Sequence, residues 1–148
     1  MNATDIEGDF FLDTNILVYA LDETSPAKQK IAAQLVREAI LSGRGVISIQ
    51  VVQEFLNVAL TKFKQPMTVE ECRGHIRNVL EPLCAYFPSI STMDHSLRVT
   101  EETGYHLYDA LIVTAAIESG CRTLYSEDLQ HGRQLRGLTI VNPFIVVE

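Results

Sequence analysis

Short apolar runs alternate with longer amphipathic stretches along this chain. Phe10-Phe11-Leu12 is bounded by polar residues, as a buried strand should be. It ends at Asp13-Thr14-Asn15, three residues able to cap a helix, and an apolar run over residues 16–21 follows. Ser25-Pro26 sets an N-cap before a first-turn proline and predicts a helix over 26–42, stopped by Gly43 and Gly45. Residues 46–49 predict a second buried strand. In the helix predicted over 50–63, Val52, Phe55, Leu56, Ala59, Leu60 and Phe63 share one face. Gln50, Glu54, Asn57 and Thr61 form a polar stripe beside it. Thr68 and Glu71 make a capping-box pair for a helix running to residue 83. A third strand is predicted over 86–90 and a helix over 93–103.

Residues 108–117 form a different kind of element. Ala110 to Ile117 is apolar nearly all round, which predicts a central, buried helix. Strands over 122–125 and 138–141 close the pattern. Strands alternating with helices imply parallel βαβ units with right-handed crossovers. The expectation is one α/β domain of about five parallel strands flanked by helices, without internal repeat or linker.

Composition changes this picture little. The chain has 148 residues, 47% of them hydrophobic and 21% charged, which is ordinary for a globular protein. No apolar run approaches the ~20 residues of a membrane span, and residues 1–15 lack the basic and apolar regions of a signal peptide. Cys72, Cys84 and Cys121 form no zinc-binding or paired pattern and read as reduced thiols. The expected compartment is the cytoplasm. A net charge of −7 disfavours long, non-specific polyanion binding but leaves room for a confined phosphodiester site. Basic pairs such as Lys28 and Lys30 or Lys62 and Lys64 suit either phosphate contacts or a solvated helix face.

The chemistry lies in four isolated carboxylates. Asp13, Glu54, Asp109 and Asp128 each stand at a strand end or a helix edge. Each also has a plain structural reading: Asp13 as a helix cap, Asp109 as a complement to a helix dipole, Glu54 as a water-facing residue, Asp128 as a turn residue. Taken together they say more. In a parallel sheet the ends of the first and fourth strands open on the same edge, which places Asp13 and Asp128 together. Asp109 and Glu54 join them only if their helices are suitably turned. Close carboxylates repel by roughly 4 kcal/mol per pair at an effective dielectric constant near 20. A divalent cation offsets that repulsion, and an all-oxygen set favours Mg²⁺ or Mn²⁺ over zinc. His75, His95, His106 and His131 show no metal-binding spacing, and no phosphate loop or nucleophile elbow occurs.

The segments FLDTNILVYA, VVQEFLNV, LYDALIVTAA and LYSEDLQHG, with the closing IVNPF, resemble in order and spacing the motifs of PIN-domain nucleases. The likeness is greatest to the VapC toxins of toxin–antitoxin pairs and runs over residues 11–144. It implies a PIN-like three-layer sandwich and an endoribonuclease that cuts single-stranded or loop RNA with Mg²⁺ or Mn²⁺. Cleavage would leave 5′-phosphate and 3′-hydroxyl ends. By motif position, Asp13, Glu54, Asp109 and Asp128 match the four acids, with Asp13 and Asp109 on the metal. Thr14, Asn15 and Ser126 match the supporting polar residues. Either Glu127 or Asp128 could be the acid that faces the metal. A cognate antitoxin and a homodimer are also implied. Two other readings compete. One is a phosphoaspartate enzyme, for which Asn15 stands where a second Asp is wanted and no lysine follows Lys64. The other is a PIN-fold protein acting in RNA processing or as a non-catalytic binding module.

Overall fold

The computed structural model describes residues 8–145, so the first seven residues of the stretch read for a signal peptide lie outside it. The elements run β1 (Phe10–Leu12), α1 (Thr14–Tyr19), α2 (Pro26–Ser42), β2 (Gly45–Ser48) and α3 (Ile49–Thr61). Next come α4 (Val69–His75), a π-helical segment (Ile76–Leu80), α5 (Glu81–Leu83), β3 (Cys84–Tyr86), α6 (Ile90–Thr103) and α7 (Leu107–Glu118). β4 (Thr123–Tyr125), β5 (Gln134–Leu135) and β6 (Leu138–Val141) complete the order.

The strands of the described residues form one six-stranded sheet in the order β3-β2-β1-β4-β6-β5. Five strands are parallel, and β5 joins β6 antiparallel. Phe10, Phe11 and Leu12 have no exposed surface, so helices cover both faces of the central strand. That is why the run is apolar without alternation. The buried apolar residues make one continuous core.

Topology puts a crevice beside β1. From β1 the chain moves to β2 and β3 on one side, then returns to lay β4 and β6 on the other. The order therefore reverses between β1 and β4, and the carboxyl ends of strands at such a switch point are where α/β sheets bind ligands. The ladder extends one residue past each strand: Asp13 N–H donates to Tyr125 O at 3.0 Å, and Ser126 N–H donates to Val141 O at 3.0 Å. Asp13 and Ser126 are thus fixed side by side at that edge.

Three expectations need correction. The third strand lies at Cys84–Tyr86 instead of 86–90, because Pro88 has no N–H for a ladder and Ser89 caps α6. Helix α6 accordingly begins at Ile90, and Ile90 and Phe87, which looked like strand residues, are 87% and 67% exposed. The helix predicted over 68–83 keeps its capping box, with Glu71 N–H on Thr68 Oγ1 at 3.1 Å and Thr68 N–H on Glu71 Oε1 at 2.9 Å. It then widens into the π segment before Pro82, which cannot supply the N–H that an α turn requires. Finally, the short β5 was not expected. It is made by a two-residue turn in which Arg136 and Gly137 take positive φ of 50° and 85°, the backbone of a tight hairpin.

Candidate active site

Asp13 caps α1 and also forms the floor of an acidic edge. Its Oδ1 accepts from Thr14 N–H at 2.7 Å, and its Oδ2 accepts from Ser126 Oγ at 2.7 Å. The side chain is 7% exposed. The cap and the site are one geometry, so the structural reading of Asp13 does not compete with the functional one.

Asn15 ties Asp13 to the far side of the sheet. Its Nδ2 donates to Asp128 Oδ2 at 3.1 Å and reaches Asp13 Oδ2 at 3.5 Å. Its Oδ1 accepts from Glu127 N–H at 3.2 Å. Ser126 adds a second link, since its Oγ also accepts from Asp128 N–H at 3.2 Å. Residues 13–15 and 126–128 therefore lock together across 113 positions of sequence.

Glu54 faces the same edge. Thr14 Oγ1 donates to its Oε1 at 2.6 Å, and Gln50 Nε2 donates to its Oε2 at 3.2 Å. Gln50 Nε2 also donates to Tyr108 O at 3.1 Å, which fixes the start of α7 against α3. Asp109, in the first turn of α7, accepts no hydrogen bond from the described residues, and it lies close enough to feel Asp128 and Glu54. Asp109 and Glu54 thus come within electrostatic reach of the edge that carries Asp13 and Asp128.

The electrostatics record this crowding. Burial, aided by the charges of Glu54 and Asp128, pushes the Asp13 carboxyl up to about 6, against hydrogen bonds from Ser126 and Thr14 that pull it down. Asp109 is also raised, first by burial and then by Asp128, with His106 opposing and Glu54 adding. Glu127 behaves differently. Despite burial its pKa is lowered, because Lys28 and Tyr19 hydrogen-bond to its carboxylate.

A cleft of about 500 Å³ opens over this edge, lined by Thr14, Asn15, Glu54, Lys62, Glu127 and Asp128 among others. Asp13 and Asp109 do not line it; Asp13 lies beneath. A cleft of about 490 Å³ elsewhere, between α1, α2 and the π segment, is nearly all apolar and holds no carboxylate. Of these two clefts, carboxylates line only the first. Among the described residues no three acids, histidines or cysteines close on one point as a ready-made metal cage. The oxygen-only donor set nevertheless suits a hard cation. Mg²⁺ in particular is commonly held by one or two carboxylates, with water and substrate oxygens filling the other positions.

The PIN domain family model matches residues 10–134, a span that contains all four acids and both sides of the switch point. The chain belongs to the PIN domain family. PIN domains are nucleases and generally use a divalent metal. No curated protein matches the chain by sequence. Among solved structures, a toxin–antitoxin complex from Klebsiella pneumoniae superposes with a TM-score of 0.63 at 18% identity, over 91% of this chain and 98% of the other. VapBC2 from Rickettsia felis, bound to a DNA fragment from its promoter, gives 0.57 at 20% identity, over 88% and 96%. At such identities the likeness is one of fold.

Sequence reasoning missed two participants in this PIN domain. Gln50 was only part of a polar stripe, although its spacing of four from Glu54 was the available signal. Lys28 was one of several basic residues, and nothing local pointed to its partner 99 positions away. His131, three residues after Asp128, accepts Asn142 N–H at 3.0 Å through Nδ1, a structural contact.

Proposed function

We propose that this PIN domain is a metal-dependent endoribonuclease, the toxin of a toxin–antitoxin pair, hydrolysing phosphodiester bonds in single-stranded or loop RNA. One observation carries the reading. Asp13, Asn15, Ser126 and Asp128 are linked at the switch point, with Glu54 bonded to Thr14 and Asp109 within electrostatic reach. The toxin assignment draws support from the two structural relatives, both from toxin–antitoxin complexes.

Asp13 and Asp109 would hold Mg²⁺ or Mn²⁺, with Glu54 and Asp128 holding the ion or its waters from a second position. When bound, the cation would make a water more acidic and neutralise charge growing on the phosphoryl oxygens. The remaining work belongs to the side chains. Ser126 and the Thr14 amide fix the Asp13 carboxylate at 2.7 Å each, so it costs little to reorganise during reaction. Thr14 and Gln50 occupy one oxygen each of Glu54 and hold its plane toward the cleft. Unpaired bases displayed by a loop would give selectivity. The antitoxin would cap the cleft and place a cationic side chain among the acids. A homodimer and a cytoplasmic location belong to the same proposal; among the described residues no helix is long and apolar enough to cross a membrane.

The test is RNA cleavage with Mn²⁺ by wild type and Asp13→Asn. The variant should keep its circular dichroism spectrum and lose activity by about 10²-fold or more. Undiminished cleavage by the folded variant would overturn the assignment.

A further inference from the structure

Glu127 and Asp128 are adjacent acids at the same cleft, yet their surroundings differ. Tyr19 OH donates to Glu127 Oε1 at 2.7 Å, and Lys28 Nζ donates to Oε2 at 2.5 Å. Lys28 Nζ also lies 4.9 Å from the centroid of the Tyr19 ring and 5.7 Å from that of Phe144. Those rings meet edge to face at 5.1 Å. Phe144 is 5% exposed, and its N–H donates to Asn142 Oδ1 at 2.9 Å, so the aromatic wall is itself anchored. The Asp128 carboxylate, by contrast, is exposed and among the described residues receives only Asn15 Nδ2.

On the nuclease reading above, we infer that Tyr19, Lys28 and Glu127 form a positioning clamp that sets Ser126 and Asp128 against Asp13, and that Glu127 is not a metal-holding acid. The geometry runs through one short turn. Ser126 is fixed at its start by the bond to Val141 O, and the Glu127 amide is held by Asn15 Oδ1. Pinning the Glu127 carboxylate to α1 and α2 leaves the next side chain, Asp128, directed at Asn15. The Lys28 ammonium also cancels a fifth negative charge that would otherwise compete for a cation in the cleft. Lys28 is thereby committed to an acid and is not a free phosphate-binding lysine.

The clamp can be tested in metal-free protein, independently of any nuclease activity. Amide hydrogen exchange at Glu127 and Asp128 should quicken by about tenfold or more in Lys28→Met, with the Leu12 amide unchanged, because only the turn loses its anchor. Lys28→Arg should restore slow exchange. Kinetically, Lys28→Met should lower kcat by about tenfold with KM within about twofold. Glu127→Gln keeps one acceptor oxygen for Lys28, while its NH₂ can donate to the Tyr19 hydroxyl oxygen, and it should hold Mn²⁺ affinity, read by calorimetry, to within about twofold. Unchanged exchange in Lys28→Met would overturn the clamp. A rise in KM alone would make Lys28 a phosphate contact instead, and a tenfold or larger loss of Mn²⁺ affinity in Glu127→Gln would make Glu127 a ligand. Should Lys28→Met fail to fold, Tyr19→Phe, which removes one clamp bond, takes the same measurements. If wild type neither binds Mn²⁺ nor cuts RNA, the nuclease reading fails while the exchange result still decides the clamp.

Discussion

The charge on Asp13 is costly where it sits. Burial pushes its carboxyl up to about 6, above the ordinary 3.8 of such a group, and the charges of Glu54 and Asp128 add to the rise. Between about pH 4 and pH 6 the folded protein therefore binds more protons at this site than the unfolded chain does, and stability falls as pH rises through that window. Above it the whole cost is present, on the order of 3 kcal/mol for a rise of that size. Asn cannot titrate. Asp13→Asn should consequently stabilise the metal-free protein at pH 8 by up to that amount and change little near pH 4, as urea midpoints at the two pH values would show. A variant equally stable to wild type at both pH values would mean that Asp13 is not strained by its neighbours. Inactivation accompanied by stabilisation is a pattern expected of a functional acid and not of a mere cap, whose loss costs about 1 kcal/mol.

At the scale of elements, the site depends on how closely α2 can lie on the sheet. A Cβ added at Gly45 would come within 2.2 Å of the Ala39 Cβ and 2.7 Å of its Cα, both on a fixed helix. Gly45 also pairs in register with Phe10 on β1, three residues before Asp13. Gly45→Ala should therefore destabilise by about 1–3 kcal/mol, measured as a lower urea midpoint at unchanged slope. A neutral result would show that α2 yields easily and does not fix the edge. Much of this layer was legible beforehand. The runs at 10–12 and 46–49, the Thr68–Glu71 box and the all-apolar α7 announced their elements because burial and capping act locally. Residues 86–90 misled because apolar content suggested a strand while Pro88 and Ser89 dictated a helix start. The two-residue β5 had no periodicity to read, since it exists only through pairing with β6. The same division holds for the site: Asp13 and Asp128 followed from parallel topology, whereas Glu54 and Asp109 waited on helix rotation, which long-range contacts such as Gln50 to Tyr108 O decide.

For the whole molecule, a net charge of −7 and an acidic cleft make a cation the natural complement. Binding to the folded state alone stabilises it by about 2.7 kcal/mol when the ion is at a hundred times its dissociation constant. Mn²⁺ should thus raise the melting temperature by several degrees at pH 7 and by less at pH 5, where protons occupy Asp13. Addition of EDTA should reverse the rise, and an equal rise at both pH values would place the ion elsewhere. On the proposed reading, acids far apart in sequence share a divalent cation. Calorimetric titration of Mn²⁺ into wild type and Asp13→Asn at pH 7 tests it most directly. Saturable binding by wild type, weakened about 10²-fold or lost in the variant, is the predicted result. Equal binding by both proteins, or none by wild type, would contradict it.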